Sequence, residues 1–329
     1  MTQRFFPRRF FPLLRVLLAA AILALLLAKV HPRALVATAG SADARLLLVV
    51  VLFALVNLGL QIYRWRLVAH LTFPDLDWRS AARSFLAGLS LGIATPGRIG
   101  ELGRAYFVPE SSKSLMAGMT LLDKYFTIST TVILGFLSLA YLPILSMGLD
   151  AALVVAAVLM LSWLVSPQFA RRLAQFLPER LRSHHQVREF ALGARVIRPL
   201  DAARFVLLNA VVLATIGVQF CLAVSAFGHV SCFRGVAAAL ATLAAKVVLP
   251  LSVGDVGVRE AASALLFRYA GATPASAVSG ALTIYVVNVA LPALVGLHWV
   301  AGLSRGTDAG KPTNPGGEAR VSALERNSV

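Results

Sequence analysis

The sequence predicts an all-α polytopic membrane protein with about six transmembrane helices and two re-entrant hairpins of broken helix. Of its 329 residues, 58% are hydrophobic and only 14% are charged, whereas a soluble domain has about 25% charged residues. Several uninterrupted apolar runs are also long enough to cross a hydrocarbon core, which takes about 20 helical residues. These observations exclude a soluble enzyme, a nucleic-acid-binding module and a disordered chain.

The predicted spans follow from the positions of these apolar runs. Six runs qualify: 13–30, 46–63, 115–142, 149–165, 205–227 and 275–301. Arg15 and Lys29 bracket the first run, and such flanking charges favour a retained helix. A cleaved signal peptide is the alternative, because Ala37-Thr38-Ala39 resembles a cleavage site.

Two further hydrophobic stretches, 81–108 and 232–270, are each interrupted by a segment that contains proline and glycine. Their apolar pieces of roughly 13–16 residues are too short to span a bilayer comfortably at a rise of 1.5 Å per residue. We therefore expect each stretch to form a re-entrant hairpin of two half-helices. The hairpin backbone positions are Pro96, Gly100, Gly103, Pro250, Gly254 and Gly257.

The two hairpins are related by an internal repeat. Residues 96–103 (PGRIGELG) align with 250–257 (PLSVGDVG) at an offset of 154 residues, so that one proline, two glycines and one acid coincide. The same offset brings the flanking spans into correspondence. Each repeat, at about 46–142 and 205–301, is therefore expected to consist of a span, a hairpin and a span.

The distribution of charge predicts the orientation. The basic N-terminus and the loop 166–204, which holds eight arginines and three acids, belong in the cytoplasm by the positive-inside rule. The two hairpins then enter from opposite sides, as in the inverted repeats of secondary transporters. We expect a membrane domain at 1–303, a disordered cytoplasmic tail at 304–329, and residence in the plasma (inner) membrane with both termini cytoplasmic.

Nine charged residues lie in the broken elements and the helices beside them. They are Arg98, Glu101, Arg104, Asp123, Lys124, Lys246, Asp255, Arg259 and Glu260. A charge facing lipid at the bilayer centre costs about 3 kcal/mol, so these groups should pair or line a wet cavity. Helical spacing pairs Glu101 with Arg98 and Arg104. Arginines near half-helix N-termini can hold a phosphate, and mutual neutralisation of acids and bases is an equally good interpretation.

Other short motifs are weak. Asp75-Leu76-Asp77 matches the pattern of a metal-bound sugar-nucleotide site, but a turn followed by a helix cap explains it better. His184-His185 is interpreted as part of a solvated face. The two cysteines, Cys221 and Cys232, have no metal-ligand spacing, and we expect neither a metal nor a cofactor.

Three segments resemble the lysylphosphatidylglycerol synthase transmembrane-region family of flippase-like membrane proteins. They are 95–101 (TPGRIGE), the pair Asp123-Lys124, and 249–260 (LPLSVGDVGVRE). The resemblance covers most of 13–303 and implies a protein that moves, or helps to process, phospholipids or lipid-linked sugars. It implies that the cavity is lined by Arg98, Glu101, Arg104, Asp255, Arg259 and Glu260; Asp123 and Lys124 complete the predicted substrate-binding set.

Two departures from the family pattern bear on function. Gly254-Asp255 stands where the family often has a double glycine. Only a short tail follows Leu303, where well-known members carry a soluble aminoacyl-transfer domain, so lysyl transfer to lipid is not expected.

The resulting hypothesis is a flippase-like transporter of an anionic phospholipid or lipid-linked headgroup, with membrane lipids as partners, no nucleic acid and no catalytic residues. A membrane-embedded transferase acting on polyprenyl-linked sugars or phospholipids is one alternative. An accessory subunit bound to a lipid-modifying enzyme is the other.

Overall fold

The computed structural model describes residues 40, 42–93, 95–108, 111–166, 197–249 and 257–304, and these residues are predominantly helical. Nine α-helices lie in this part of the chain: α1 (Ala44–His70), α2 (Trp78–Ile93), α3 (Lys113–Tyr141), α4 (Met147–Val165), α5 (Pro199–Ser225), α6 (Cys232–Val248), α7 (Val258–Leu266), α8 (Pro274–Tyr285) and α9 (Leu291–Ser304). A 3₁₀ segment (Pro96–Phe107) follows α2, a 3₁₀ turn (Phe267–Ala270) follows α7, and a π-helical segment (Val286–Ala290) joins α8 to α9. The all-α prediction is confirmed.

Four helical segments of the described chain are long and apolar enough to cross a membrane. They are Ala44–His70, Met147–Leu164, Pro199–Ser225 and the continuous run Pro274–Gly302, and they correspond to four of the six predicted spans. The predicted span at 115–142 is α3, a helix of 29 residues. The predicted span at 13–30, His184-His185 and most of the loop and tail lie outside the described residues.

The first hairpin consists of α2 and the 3₁₀ segment, which run antiparallel. The Thr95 hydroxyl closes the bend, since it donates to the Leu91 carbonyl at 3.1 Å and accepts from the Gly100 amide at 2.7 Å. The return leg is 3₁₀ rather than the predicted half-helix of α type. Its proline and three glycines disfavour a regular α-helix, and Arg98 has a φ of 58°.

Two of the predicted hairpin glycines allow a close approach between the legs. A Cβ atom at Gly100 would overlap the Leu91 carbonyl oxygen, and one at Gly103 would lie 2.5 Å from the Leu91 Cδ1 atom. Because glycine has no Cβ, the return leg can lie directly on α2.

The second hairpin consists of α6 and α7 with its 3₁₀ turn. At the start of α6, the Ser231 amide donates to the Ala270 carbonyl at 2.9 Å and joins the two legs of the hairpin. Gly257 begins the return leg with a φ of 110°, in the region of backbone space that favours glycine. The predicted backbone positions Pro250 and Gly254 lie outside the described residues.

The first spans of the two repeats, α1 and α5, pack against each other in opposite directions. Near the start of α1, the Asp43 amide donates to the Ala226 carbonyl at 2.9 Å. Near the other end, Arg64 donates to Asn209 at 2.8 Å. Equivalent helices therefore run antiparallel, as an inverted repeat requires.

The last span of each repeat packs on the hairpin of the other repeat, α3 on α6 and α9 on α2. Each crossing occurs at a glycine. A Cβ at Gly135 would overlap the Cβ of Ala244, and one at Gly296 would overlap the Leu86 carbonyl and the Ser90 hydroxyl. The two crossings are thus equivalent contacts of one inverted arrangement.

These crossings also correct the predicted register of the last spans. Ser90 and Ala244 are 154 residues apart, so the hairpins keep the predicted offset, but Gly135 and Gly296 are 161 residues apart. The single offset is wrong for the last spans by seven residues, about two helical turns. Between the last aligned hairpin glycine and the start of the last span, the second repeat has seven more residues than the first, and this stretch contains the 3₁₀ turn Phe267–Ala270 and Gly271.

Candidate anion-binding site

Six ionic side chains meet where α1, the first hairpin and α3 come together. They are Arg64, Arg98, Glu101, Arg104, Asp123 and Lys124, and we name them the Glu101 cluster. All except Arg64 belong to the predicted substrate-binding set. The structure therefore brings together five predicted residues that come from two different elements.

The carboxylate of Glu101 is the centre of the cluster. Arg98 Nε lies 2.6 Å from Glu101 Oε1, and Arg104 Nη2 lies 2.9 Å from Oε2. Lys124 Nζ forms an ion pair with the same Oε2 atom. The two pairs suggested by helical spacing are thus present, and Lys124 joins them from α3.

Asp123 is the second carboxylate of the cluster, and it ties the surrounding helices together. Arg64 contacts both of its oxygens, at 2.9 and 3.3 Å, in the forked geometry that makes arginine–carboxylate pairs strong. Arg104 Nη1 lies 3.3 Å from Asp123 Oδ2. Because Arg64 also donates to Asn209 Oδ1 on α5 at 2.8 Å, the cluster extends from the first repeat into the second.

Aromatic rings stabilise the buried Arg104 guanidinium. Its central carbon lies 4.6 Å from the Trp65 ring centroid and 5.3 Å from that of Phe85, within the range of cation–π attraction. Gly88 leaves room for this arginine, since a Cβ there would lie 2.9 Å from the Arg104 Cβ. Arg104 is thus held by both carboxylates and by two ring faces.

The cluster holds more positive than negative charge. Within the described residues, its four cations face two carboxylates. The Glu101 side chain is only 2% exposed, whereas Arg98 and Lys124 are 24% and 32% exposed. Mutual neutralisation among these described side chains leaves two positive charges over, and two of the four cations, Arg98 and Lys124, are partly exposed. The arrangement favours an anion.

Arg98 also has an unusual backbone conformation. Its φ of 58° makes it the one non-glycine residue with positive φ in the described part of the chain. Long side chains seldom adopt this region, and such strained positions concentrate at functional sites. The Arg98 amide donates to the Thr95 carbonyl at 3.1 Å and its side chain pairs with Glu101, so the bend and the ion pair hold the conformation.

The predicted residues of the second hairpin form a separate, neutral pair. Glu260 accepts from the Gly257 amide at 2.7 Å and from Arg259 at 2.8 and 3.1 Å. Both side chains are buried, and the Arg259 guanidinium carbon lies 5.1 Å from the Tyr285 ring centroid. The positive charge of Arg259 and the negative charge of Glu260 neutralise each other in this pair. Asp255, another member of the predicted substrate-binding set, lies outside the described residues.

Sequence analysis missed Arg64, because the predicted span ended at Tyr63 whereas α1 continues to His70. A signal was available: Asn57, Gln61 and Arg64 recur at helical spacing along one face of a helix that is apolar over most of its length. Gln61 Nε2 donates to Asn57 Oδ1 at 3.3 Å, and both Asn57 and Arg64 are buried. Asn209 is likewise a buried polar residue within a largely apolar helix.

The interpretation of Asp75-Leu76-Asp77 as a turn and cap is confirmed for Asp77. Its carboxylate accepts from the amides of Arg79 at 3.2 Å and Ser80 at 3.3 Å, at the start of α2. The hydrogen bond with the Ser80 side chain is the largest cause that lowers the pKa of Asp77 below its ordinary value. In the described part of the chain, no three His, Cys, Asp or Glu residues are grouped as metal ligands.

Comparison with known proteins gives one match. The family model described as "Lysylphosphatidylglycerol synthase TM region" matches residues 13–296, which is most of the chain. No curated protein and no solved structure matched.

Proposed function

Because this chain belongs to the lysylphosphatidylglycerol synthase TM region family, we propose that it is a flippase-like transporter of an anionic phospholipid or lipid-linked headgroup. The headgroup binds at the Glu101 cluster while the hydrocarbon tail stays in the bilayer. The observation that carries the proposal is the surplus of positive charge beside two partly exposed cations, Arg98 and Lys124.

The location of the cluster supports transport. In transporters built from inverted repeats, substrates bind where discontinuous helices meet near the bilayer midplane. The Glu101 cluster lies on the return leg of such a broken hairpin and on the adjacent α3. It also contacts α5 of the second repeat through Arg64. A movement of one repeat against the other would therefore change the geometry of the Glu101 cluster.

The partly exposed and the buried cations of the cluster have different roles in binding. Arg98 offers a planar fork of donors and Lys124 a compact charge, so together they can contact several oxygens of one phosphate. Arg64 and Arg104 are buried and are held by Asp123. They form a second row, which fixes the carboxylates and adds to the positive potential.

The proposed orientation places both termini in the cytoplasm of the plasma membrane. It rests on the arginine-rich loop 166–204 and the positive-inside rule. Antiparallel packing of α1 and α5 supports it, since the orientation requires the two repeats to be inverted.

Reconstitution tests the proposal. Purified protein in proteoliposomes should translocate fluorescent phosphatidylglycerol, detected by quenching with a membrane-impermeant reductant. Arg98→Gln and Lys124→Gln should each lower the initial rate about tenfold, because each removes a charged contact with the phosphate. Arg268→Gln is the matched control: Arg268 is an exposed arginine that contacts Tyr269 on the second hairpin, and its loss should leave the rate unchanged.

Equal rates in the wild type, Arg98→Gln and Lys124→Gln would contradict the proposal. Formation of a sugar- or phospholipid-derived product by the purified protein would favour the transferase instead. Activity that requires a co-purifying lipid-modifying enzyme would favour the accessory subunit.

A further inference from the structure

We propose that Glu101 is a built-in competitor of the ligand. Its carboxylate binds the same two cations, Arg98 and Lys124, that a ligand phosphate would bind, and the phosphate takes its place there. This inference rests on the proposed function, because it concerns the same site. It adds two points to that function: Glu101 sets the affinity of the site for its ligand, and the chemical group that the site recognises is a phosphate.

Exposure determines where the exchange can occur. Arg98 and Lys124 are partly exposed, whereas Arg104 is 1% exposed. An approaching phosphate can therefore reach the outer two partners of Glu101 and cannot reach the inner one. The exchange is confined to the outer side of the carboxylate.

Glu101 keeps a partner after the exchange. Arg104 Nη2 lies 2.9 Å from Glu101 Oε2, and Arg104 Nε also donates to the Glu101 main-chain carbonyl at 3.3 Å. A buried carboxylate that lost every partner would be strongly destabilised. Because Glu101 keeps Arg104 as its partner, the exchange avoids that cost. It replaces one set of ion pairs with another.

The charge of the cluster fits this exchange. Its described residues have two more cations than carboxylates, so an added phosphate reduces the local charge even though Glu101 stays ionised. The returning carboxylate also favours release of the headgroup. A transporter needs such a balance, because a ligand held too tightly is not released.

Binding and transport should change in opposite directions when the competitor is removed. Glu101→Gln should bind phosphatidic acid in detergent micelles about tenfold more tightly than wild type, and its transport of the same lipid should be slower. Protection of Lys124 from an amine-reactive reagent, quantified by mass spectrometry, reports on occupancy. Glu101→Asp retains the charge on a shorter side chain, and it should also tighten binding, to a smaller extent.

Asp123→Asn is the matched control. It removes the other carboxylate of the cluster, whose partners are the buried Arg64 and Arg104. If the effect of Glu101→Gln came only from a general gain of positive charge, Asp123→Asn would tighten binding equally. In protein that remains folded by size exclusion, we expect it to tighten binding less than Glu101→Gln does.

Inorganic phosphate distinguishes recognition of the phosphate from recognition of the lipid tail. It should compete with phosphatidic acid for the protection of Lys124, because the exchange requires only phosphate oxygens. The inference is wrong if saturating phosphate leaves lipid binding unchanged, or if both Glu101 variants, folded by size exclusion, bind no more tightly than wild type. Failure of wild-type protein to bind any anionic lipid would instead overturn the proposed function.

Discussion

The two repeats join their first and last spans by different chemistry. In the first repeat, Arg64 on the first span binds Asp123 on the last span. Gln219 occupies the place of Arg64 in the second repeat, 155 residues later, and exchanges hydrogen bonds of 2.7 and 3.0 Å with Asn288 on the last span. The first repeat thus joins its outer spans by an ion pair and the second by neutral amides.

The hairpins differ in the same way. Lys124 of the first repeat contacts Glu101, whereas Tyr285, 161 residues later, faces Arg259 with its ring. In both repeats, polar side chains thus join the first span and the hairpin to the last span, but their charges differ. Among the described residues, the Glu101 cluster of the first repeat has four cations and two carboxylates, whereas Arg259 and Glu260 of the second repeat pair one to one. This difference is why we assign headgroup binding to the first repeat.

The largest expected effect on stability is that of Asp123→Ala. It removes the carboxylate shared by the buried Arg64 and Arg104, and the free energy of unfolding should fall by about 3–5 kcal/mol. Reversible denaturant unfolding in mixed micelles measures the change. A loss no larger than that of Asn288→Ala would show that the ionic and neutral connections are energetically alike, contrary to our comparison.

Gly296→Ala should be the next most severe change. Its new Cβ would overlap the Leu86 carbonyl, which is backbone, whereas at Gly135 the obstacle is the Ala244 methyl group. We expect a loss of about 2–3 kcal/mol for Gly296→Ala and a smaller loss for Gly135→Ala. Thermal unfolding should show that Ala244→Gly rescues Gly135→Ala. Failure of that rescue would mean that the two crossings are not the equivalent contacts we describe.

Asn288→Ala tests the neutral connection directly. It leaves the buried Gln219 with its bond to the Val50 carbonyl, at 2.9 Å, and without its amide partner. The free energy of unfolding should fall by about 1–2 kcal/mol, while transport of anionic lipid should persist because no charge is removed. Loss of transport comparable to that in Lys124→Gln, in folded protein, would assign a binding role to the second repeat as well.

Substitution of Asp77 should have the smallest effect. Asp77→Asn keeps a side chain suited to the cap of α2, so transport and melting temperature should match wild type, whereas a metal-binding aspartate would not tolerate the change. The lowered pKa of Asp77 means that its contribution to stability is present above its ordinary pKa of 3.8 and is lost as the pH falls through the lowered value. Asp77→Ala should therefore reduce this acid dependence in melting curves.

Local patterns explain what could be predicted. The apolar runs predicted the helices, because length and hydropathy are sufficient to identify a span. Pro96 and the glycines after it predicted the break in the first hairpin. Glu101 could be paired with Arg98 and Arg104 because the three residues stand on successive turns of one segment.

The sequence by itself thus determined the all-α membrane class, the paired hairpins and the family. Only the tertiary structure decided which cations share Asp123, since Arg64 lies 59 residues from it and Asn209 lies 145 residues from Arg64. It also decided the seven-residue shift of the last spans. The physical reason is that helical periodicity relates residues three or four positions apart, whereas contacts between helices depend on how whole surfaces pack. The packing of α1, the first hairpin and α3 against one another places the charges of the Glu101 cluster together.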